Sequence, residues 1–290
     1  YQIYKNKYKK ENYLNLIKNR INFYSKFHLK KLETKFSKKN DPIFLIGFPR
    51  SGTTLLDTIL RTHSSIEVIE EKPIVQEFID ILRIKTKNKL LNLEKINKND
   101  YNEIRNVYFK KRNEYINFDK NKIYVDKLPL NLIFIGEIHK FFPNAKFIFA
   151  LRNPNDVILS CFMQQFTPND AMMNFTNLDD ASKFYDLSMS LYKRYYALFK
   201  SNIYEIKYEE VVRDFDNSIR KLLKFLNLEW EEGVKKFYET ANKRGIISTP
   251  SFNQVNKPIY NKSIDRWKNY ENKFKNIKPK LSKWLDEFKY

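Results

Sequence analysis

Residues 47–54 read Gly-Phe-Pro-Arg-Ser-Gly-Thr-Thr and follow the apolar run Ile43–Ile46. The G-x-x-x-x-G spacing is that of a phosphate-binding loop between a strand and a helix. Nucleotide-hydrolysing loops continue with Lys, which neutralises the β- and γ-phosphates, and then with a Ser or Thr that holds Mg²⁺. Here Thr53 and Thr54 follow Gly52, in a chain otherwise rich in lysine. Anion binding survives that change. Backbone N–H groups from Arg50 to Thr54, the helix N-terminus and two hydroxyls form a cradle for phosphate-like oxygens. A tight turn holding no ligand is the plainer alternative, but the chain has five glycines and two of them fall here. Arg50 before Ser51-Gly52, with Thr in the lysine slot, suits a shorter and less charged tail than a triphosphate.

Three carboxylates, Glu67, Glu70 and Glu71, lie in the stretch SSIEVIEEKP. An adjacent Glu pair can raise the pKa of one member toward that of a general base. Helix capping ahead of Pro73 is the competing role, and it is the one expected of Glu70. Lys127 follows the apolar stretch IYVD, at the strand end where open parallel sheets bind ligands. Of the three histidines, His28 lies in a basic N-terminal stretch, His139 is expected on a surface face and His63 is expected to be structural. None is read as catalytic.

The sequence PRSGTT resembles the 5′-phosphosulfate loop of sulfotransferases that use 3′-phosphoadenosine 5′-phosphosulfate (PAPS) and release 3′-phosphoadenosine 5′-phosphate (PAP). The likeness covers roughly residues 42–275. It points in particular to protein-tyrosine sulfotransferases and to bacterial sulfotransferase domains that follow tetratricopeptide repeats. It implies a donor with a single sulfated 5′ phosphate and no metal. It also implies a second anion site for the 3′ phosphate, and FALRNPNDVILSCF supplies Arg152 and Ser160 at the family's spacing of eight. Taken alone, Arg152 is equally an ordinary ion-pairing residue at a strand end.

By the same resemblance Glu71, twenty-one residues after Arg50, takes the place of the catalytic base. Lys127, beside Pro129, stands in a K-x-P setting and would stabilise the leaving phosphate together with Arg50. In STPSFNQVNKPIYNKSIDRW, Ser251 and Arg266 match donor-contacting positions, and Tyr208 matches a tyrosine lying against the nucleotide, with a core tyrosine as its alternative. Two positions depart from the tyrosine enzymes: Gln164 and Pro73 stand where they carry arginine. The acceptor is therefore not assumed to be protein tyrosine: a hydroxyl on a peptide, a carbohydrate, a lipid or a small alcohol or phenol is compatible with one glutamate base.

These groups need a scaffold. Strand runs at 43–47, 66–69, 122–127, 146–152 and 203–208 alternate with helix-length segments. Continuous apolar strands separated in this way predict a P-loop-type three-layer α/β/α fold with a central parallel sheet of about five strands. Residues 1–40, with Leu14, Ile17, Ile21 and Tyr24 at helical spacing, are expected to form a basic helical connector, and 41–290 the sulfotransferase domain. The initial Tyr suggests a piece of a longer protein, in which tetratricopeptide repeats precede the connector. No apolar run is long enough to span a membrane. A lone cysteine, Cys161, fits a reducing compartment, so the expected location is the cytoplasm. The net charge of +20 would suit nucleic acid, but abundant Lys, Asn and Ile with scarce Arg read more simply as AT-rich coding, so no dedicated nucleic-acid site is expected. Two alternatives to the sulfotransferase remain: a P-loop kinase or NTPase with Asp126 as the Mg²⁺ ligand, and a basic nucleic-acid-binding module.

Overall fold

A computed structural model describes residues 7–25, 41–243, 255–259 and 261–290. Five parallel strands, β1 (Ile43–Gly47), β2 (Ile66–Glu70), β3 (Ile123–Lys127), β4 (Lys146–Leu151) and β5 (Ile203–Lys207), form one sheet in the order β2-β3-β1-β4-β5. The strands match the apolar runs to within a residue or two. β1 is buried at every position, as a central strand covered on both faces must be. Phe44 and Ile46 face one core, with Phe147 stacked on Phe44 at 5.6 Å. Ile43 and Leu45 face a second core, closed by Leu56, Ile59, Leu222 and Leu223.

Each face is covered by helices whose ends the sequence marks. On the second face lie α2 (Thr53–Arg61), α8 (Tyr208–Arg213) and α9 (Phe215–Leu226). In α9, Ile219, Leu222, Leu223 and Leu226 recur at helical spacing; Asp214 caps its start and left-handed Asn227 its end. The first face carries α3 (Ile74–Lys85), α4 (Lys98–Asn113), α5 (Ile135–Phe141), α6 (Pro154–Phe162) and the long α7 (Leu178–Phe199). Asn177 caps α7 by accepting from Asp180 N at 2.8 Å, with two aspartates in the first turn. The chain finishes with α10 (Phe237–Lys243), the one-turn α11 (Glu271–Phe274) and α12 (Lys278–Phe288), which packs on α7.

The N-terminal segment supplies α1 (Lys10–Ser25), whose Leu14, Ile17, Phe23 and Tyr24 are buried against α7. Ile21, on the same expected stripe, packs there partly exposed. Arg20 sits inside this contact and pairs with Glu137 of α5 at 2.5 Å, while Tyr24 donates to the other Glu137 oxygen at 3.3 Å. The Tyr24 ring lies so close to Gly136 that an added Cβ would overlap it.

Among the histidines, His139 is not on a surface face. It stacks on Phe199 at 4.0 Å, and burial pushes its pKa down to about 4. His63 Nδ1 accepts from Ser65 N–H at 3.1 Å, which leaves Nε2–H to donate to Glu229 O at 3.0 Å, a structural arrangement. His28 lies outside the described residues.

Candidate active site

β1 stands where the strand order reverses: the chain goes from β1 outward to β2 and back to β3 on one side, then to β4 and β5 on the other. Open parallel sheets hold ligands in the crevice beyond the strand ends at such a point. The loop between β1 and α2 lies there. Gly52 adopts φ +95°, and a Cβ on it would come 3.0 Å from the Tyr208 ring, so both conformation and space call for glycine. Arg50 also lies in the left-handed region, at φ +69°. Ser51, Thr53 and Thr54 are buried at the base of the turn, where α2 begins.

The loop and the β4–α6 turn are tied together. Arg50 Nε donates to Ser160 Oγ at 3.0 Å, and Arg152 Nη1 donates to Arg50 O at 3.1 Å. The two anion-binding elements expected from sequence are thus contiguous, with Arg50 as the bridge. Arg152 Nη2 reaches Ser263 O at 2.6 Å, and the guanidinium lies 4.9 Å from the centre of the Tyr208 ring. Its Nε is buried without a hydrogen-bond partner among the described residues. Asp156 of α6 accepts from Asp265 N at 2.8 Å and Trp267 N at 2.9 Å, which pins the segment carrying Ser263 across the turn.

On the other side of β1, Lys127 ends β3 and has no solvent contact. Its Nζ lies 2.9 Å from Glu71 Oε1, 3.2 Å from Glu70 Oε1 and 3.7 Å from Asp57 Oδ2. A buried ammonium is tolerable only with such partners. Asp57, one helical turn beyond the loop, also takes Arg61 Nε at 3.0 Å. Glu70 therefore does not cap α3 as expected: Pro73 is the N-cap residue, without a side-chain cap, and the Glu70 carboxylate turns to Lys127 across the β2–β3 pairing. Glu71 follows β2 in the left-handed region, at φ +49°, and its N–H donates to Lys127 O at 2.8 Å. That conformation turns its carboxylate, about one-third exposed, out of the strand and toward the crevice.

A cavity of about 930 Å³ joins these groups. Its wall includes Arg50, Gly52, Thr53, Thr54, Glu71, Arg152 and Tyr208. Lys127 and Ser160 stand behind that wall, one held by Glu71 and the other by Arg50. The model of the sulfotransferase family matches residues 42–232. The chain belongs to the sulfotransferase family.

Among relatives of this sulfotransferase, an uncharacterized protein of Aquifex aeolicus is 31% identical over 88% of the chain, and the chain spans 34% of that protein. Chicken protein-tyrosine sulfotransferase 2 is 24% identical over 81% of the chain, which spans 65% of it. Of solved structures, the sulfotransferase domain from the curacin biosynthetic pathway aligns with a TM-score of 0.57 at 20% identity, covering 85% of this chain and 99% of the domain. A mouse sulfotransferase complexed with PAP aligns with a TM-score of 0.51 at 17% identity, covering 90% of each chain. At these identities the structural matches speak for the fold, the expected three-layer sulfotransferase architecture around a parallel five-stranded sheet.

Not every expected residue of this sulfotransferase reaches the cavity. Arg266 is exposed, opens a short turn of helix and is not among the residues that line the cavity. Ser251 lies outside the described residues. Tyr208 faces the cavity and is no purely internal tyrosine. Sequence reading missed Asp57 and Asp156. The only signal for Asp57 was its place four residues before Arg61 on α2, and Asp156 looked like an ordinary first-turn helix acid.

Proposed function

We propose that this sulfotransferase takes the sulfuryl group of PAPS and transfers it to an acceptor hydroxyl, with Glu71 as general base. The observation that carries the reading is the hydrogen-bonded union of the Gly52 turn with Arg152 and Ser160, in one cavity with Glu71. The residues present fit the donor. The buried Arg152 Nε lacks a partner among the described residues, and Gly52 leaves its turn open beside the Tyr208 ring. Residues 50–54 would hold the 5′ end, Arg152 and Ser160 the 3′ phosphate and Tyr208 the nucleoside, with Ser251 and Arg266 as further proposed contacts. Bound there, PAPS supplies an activated sulfuryl group whose leaving group is PAP.

The protein's own groups divide the remaining work. Glu71 accepts the proton of the acceptor hydroxyl as its oxygen becomes the nucleophile. Arg50 and Lys127 bring positive charge to the loop from opposite sides, where negative charge gathers on the departing phosphate. Lys127 donates to Glu71 at 2.9 Å and to Glu70 at 3.2 Å from behind the cavity wall; to reach an anion in the loop its ammonium would have to turn from Glu71, which would release that carboxylate for proton transfer. Asp57 and Glu70 keep that ammonium paired as it moves.

A kinase or NTPase reading finds no support at Asp126. Its carboxylate is buried on the first face of the sheet, where it takes a hydrogen bond from Tyr108 of α4 at 3.2 Å, and it does not line the cavity. Calorimetry with PAP, set against ATP with Mg²⁺, tests the assignment. PAP should bind. Arg152→Ala should weaken it about 10- to 100-fold, the value of a lost hydrogen bond to a charged group. Binding of Mg²⁺-ATP with no response to PAP overturns the proposal.

A further inference from the structure

The cavity has two halves, built on the two different cores of the protein. Beside the loop its apolar wall is Tyr208, Phe237, Val255 and Ile259, all packed on the second face of the sheet. Beyond Glu71 the wall is Tyr13, Leu16, Leu130, Phe134, Phe166 and Met172, all packed on the first. The nucleotide assigned above occupies the loop and the first half. The second half is walled largely by aliphatic and aromatic side chains, and two of them come from α1.

Several polar groups in this second half have partners of their own, while Lys7, which also lines the cavity, lies 5.4 Å from the centre of the Tyr8 ring. Asp170 accepts from Lys9 N at 2.9 Å and from Asn12 Nδ2 at 3.1 Å, so it caps the start of α1 and fastens that helix over the chamber. Arg83, at the rim, pairs with Asp80 at 3.2 Å. Asn131 differs. It lines the cavity at 2% exposure, and its Nδ2 is buried without a hydrogen-bond partner among the described residues. A buried amide donor left unsatisfied is costly, and a ligand oxygen in the chamber would remove that cost.

Resting on the donor assignment above, we propose that the acceptor is a hydroxyl carried on an apolar ring body, such as a fused-ring phenol, and that Asn131 Nδ2 donates to its oxygen. Tyr13 and Leu16 of α1 set its selectivity. A polysaccharide would have to place heavily hydrated groups against this wall, which is unfavourable without compensating partners; an acidic peptide would find two cations there, Lys7 and the already paired Arg83, too few for several carboxylates beside so much apolar surface. In the transfer, the acceptor O–H gives its proton to Glu71, a new O–S bond forms, and the bond between sulfur and the 5′-phosphate oxygen of PAPS breaks. The products are the aryl sulfate and PAP.

The test is transfer of ³⁵S from labelled PAPS to three probes: 2-naphthol, an acidic tyrosine-containing peptide and a desulfated glycosaminoglycan. Calorimetric PAP affinity is measured in parallel. 2-Naphthol should be labelled at least tenfold faster than either polymer. Leu16→Asp and Asn131→Asp should each raise its KM tenfold or more while the PAP Kd stays within twofold, which also shows that the variants are folded. If Leu16→Asp does not fold, Tyr13→Ala takes its place with the same expectation. Preferential labelling of the peptide or the polysaccharide overturns the inference, as does a KM unmoved in the folded variants. A protein that binds PAP but labels none of the probes overturns the acceptor inference and leaves the donor assignment standing; one that binds no PAP overturns both.

Discussion

Lys127 and Glu71 show how one ion pair ties folding to chemistry. Lys127 is wholly buried among Asp57, Glu70 and Glu71, so removing it takes the shared ammonium from three carboxylates at once, of which Asp57 keeps Arg61. Breaking a buried pair costs about 3–5 kcal/mol, and Lys127→Ala should accordingly lower the urea midpoint sharply, a stability loss that denaturant titration separates from any loss of activity. Glu71→Gln behaves differently, because its side chain is partly exposed and already sits at the crevice. It should lower kcat about 10²- to 10⁴-fold, the range for loss of a general base, with PAP affinity nearly unchanged; comparable kcat in the variant rules Glu71 out as the base. Gly52→Ala forces a side chain into left-handed backbone and against the Tyr208 ring. PAP affinity should drop with it, by calorimetry, because loop and ring form one wall. Of these residues, Glu71, Lys127 and Gly52 were legible from spacing and resemblance. Asp57 was not, because an aspartate on an amphipathic helix acquires a role only when β3 brings a lysine beneath it.

At the scale of elements, α1 is the instructive case. Its apolar stripe was plain in the sequence and predicted a helix, but a stripe does not say what covers it. Arg20 and Glu137 decide that, being 117 residues apart in the chain and paired inside the contact between α1, α5 and α7. Glu137→Ala leaves Arg20 buried and uncompensated. It should cost about 3–5 kcal/mol, read as a lower thermal midpoint. Gly136→Ala, which pushes the Tyr24 ring off α5, should loosen the same docking, and faster amide exchange in α1 than in α7 is the check. The β4–α6 turn shows a similar limit. Arg152 and Ser160 were readable as a pair by their spacing, whereas the hydrogen bond of Ser160 to Arg50 was not, since it depends on β1 and β4 lying side by side.

For the molecule as a whole, burial of Asp126 makes stability depend on pH. Desolvation raises its pKa from 3.8 to about 7, against a smaller opposing effect of the Tyr108 hydrogen bond. Between about pH 4 and 7 the folded chain therefore holds a proton that the unfolded chain has lost, so this group's contribution to stability falls as pH rises through that window. Asp126→Asn keeps an acceptor for Tyr108 and removes the titration. It should match the parent near pH 4 and exceed it above pH 7, by at most about 4 kcal/mol at 1.36 kcal/mol per unit; urea midpoints at pH 5 and 8 measure the difference, and equal gaps at both values refute the account.

The order of strands and helices, the glycine turn and the choice of Arg50, Arg152 and Ser160 as candidate anion-binding groups all came from the sequence itself, because each rests on local periodicity, backbone preference or fixed spacing. The tertiary structure alone decided that Glu70 and Asp57 share Lys127 with Glu71, that Arg50 joins the glycine turn to Arg152 and Ser160, and that the cavity passes from one core to the other with α1 as its far wall. Those contacts join residues distant in the chain. Their partners are chosen by which strands pair and which helix faces meet, information that no short stretch of sequence carries.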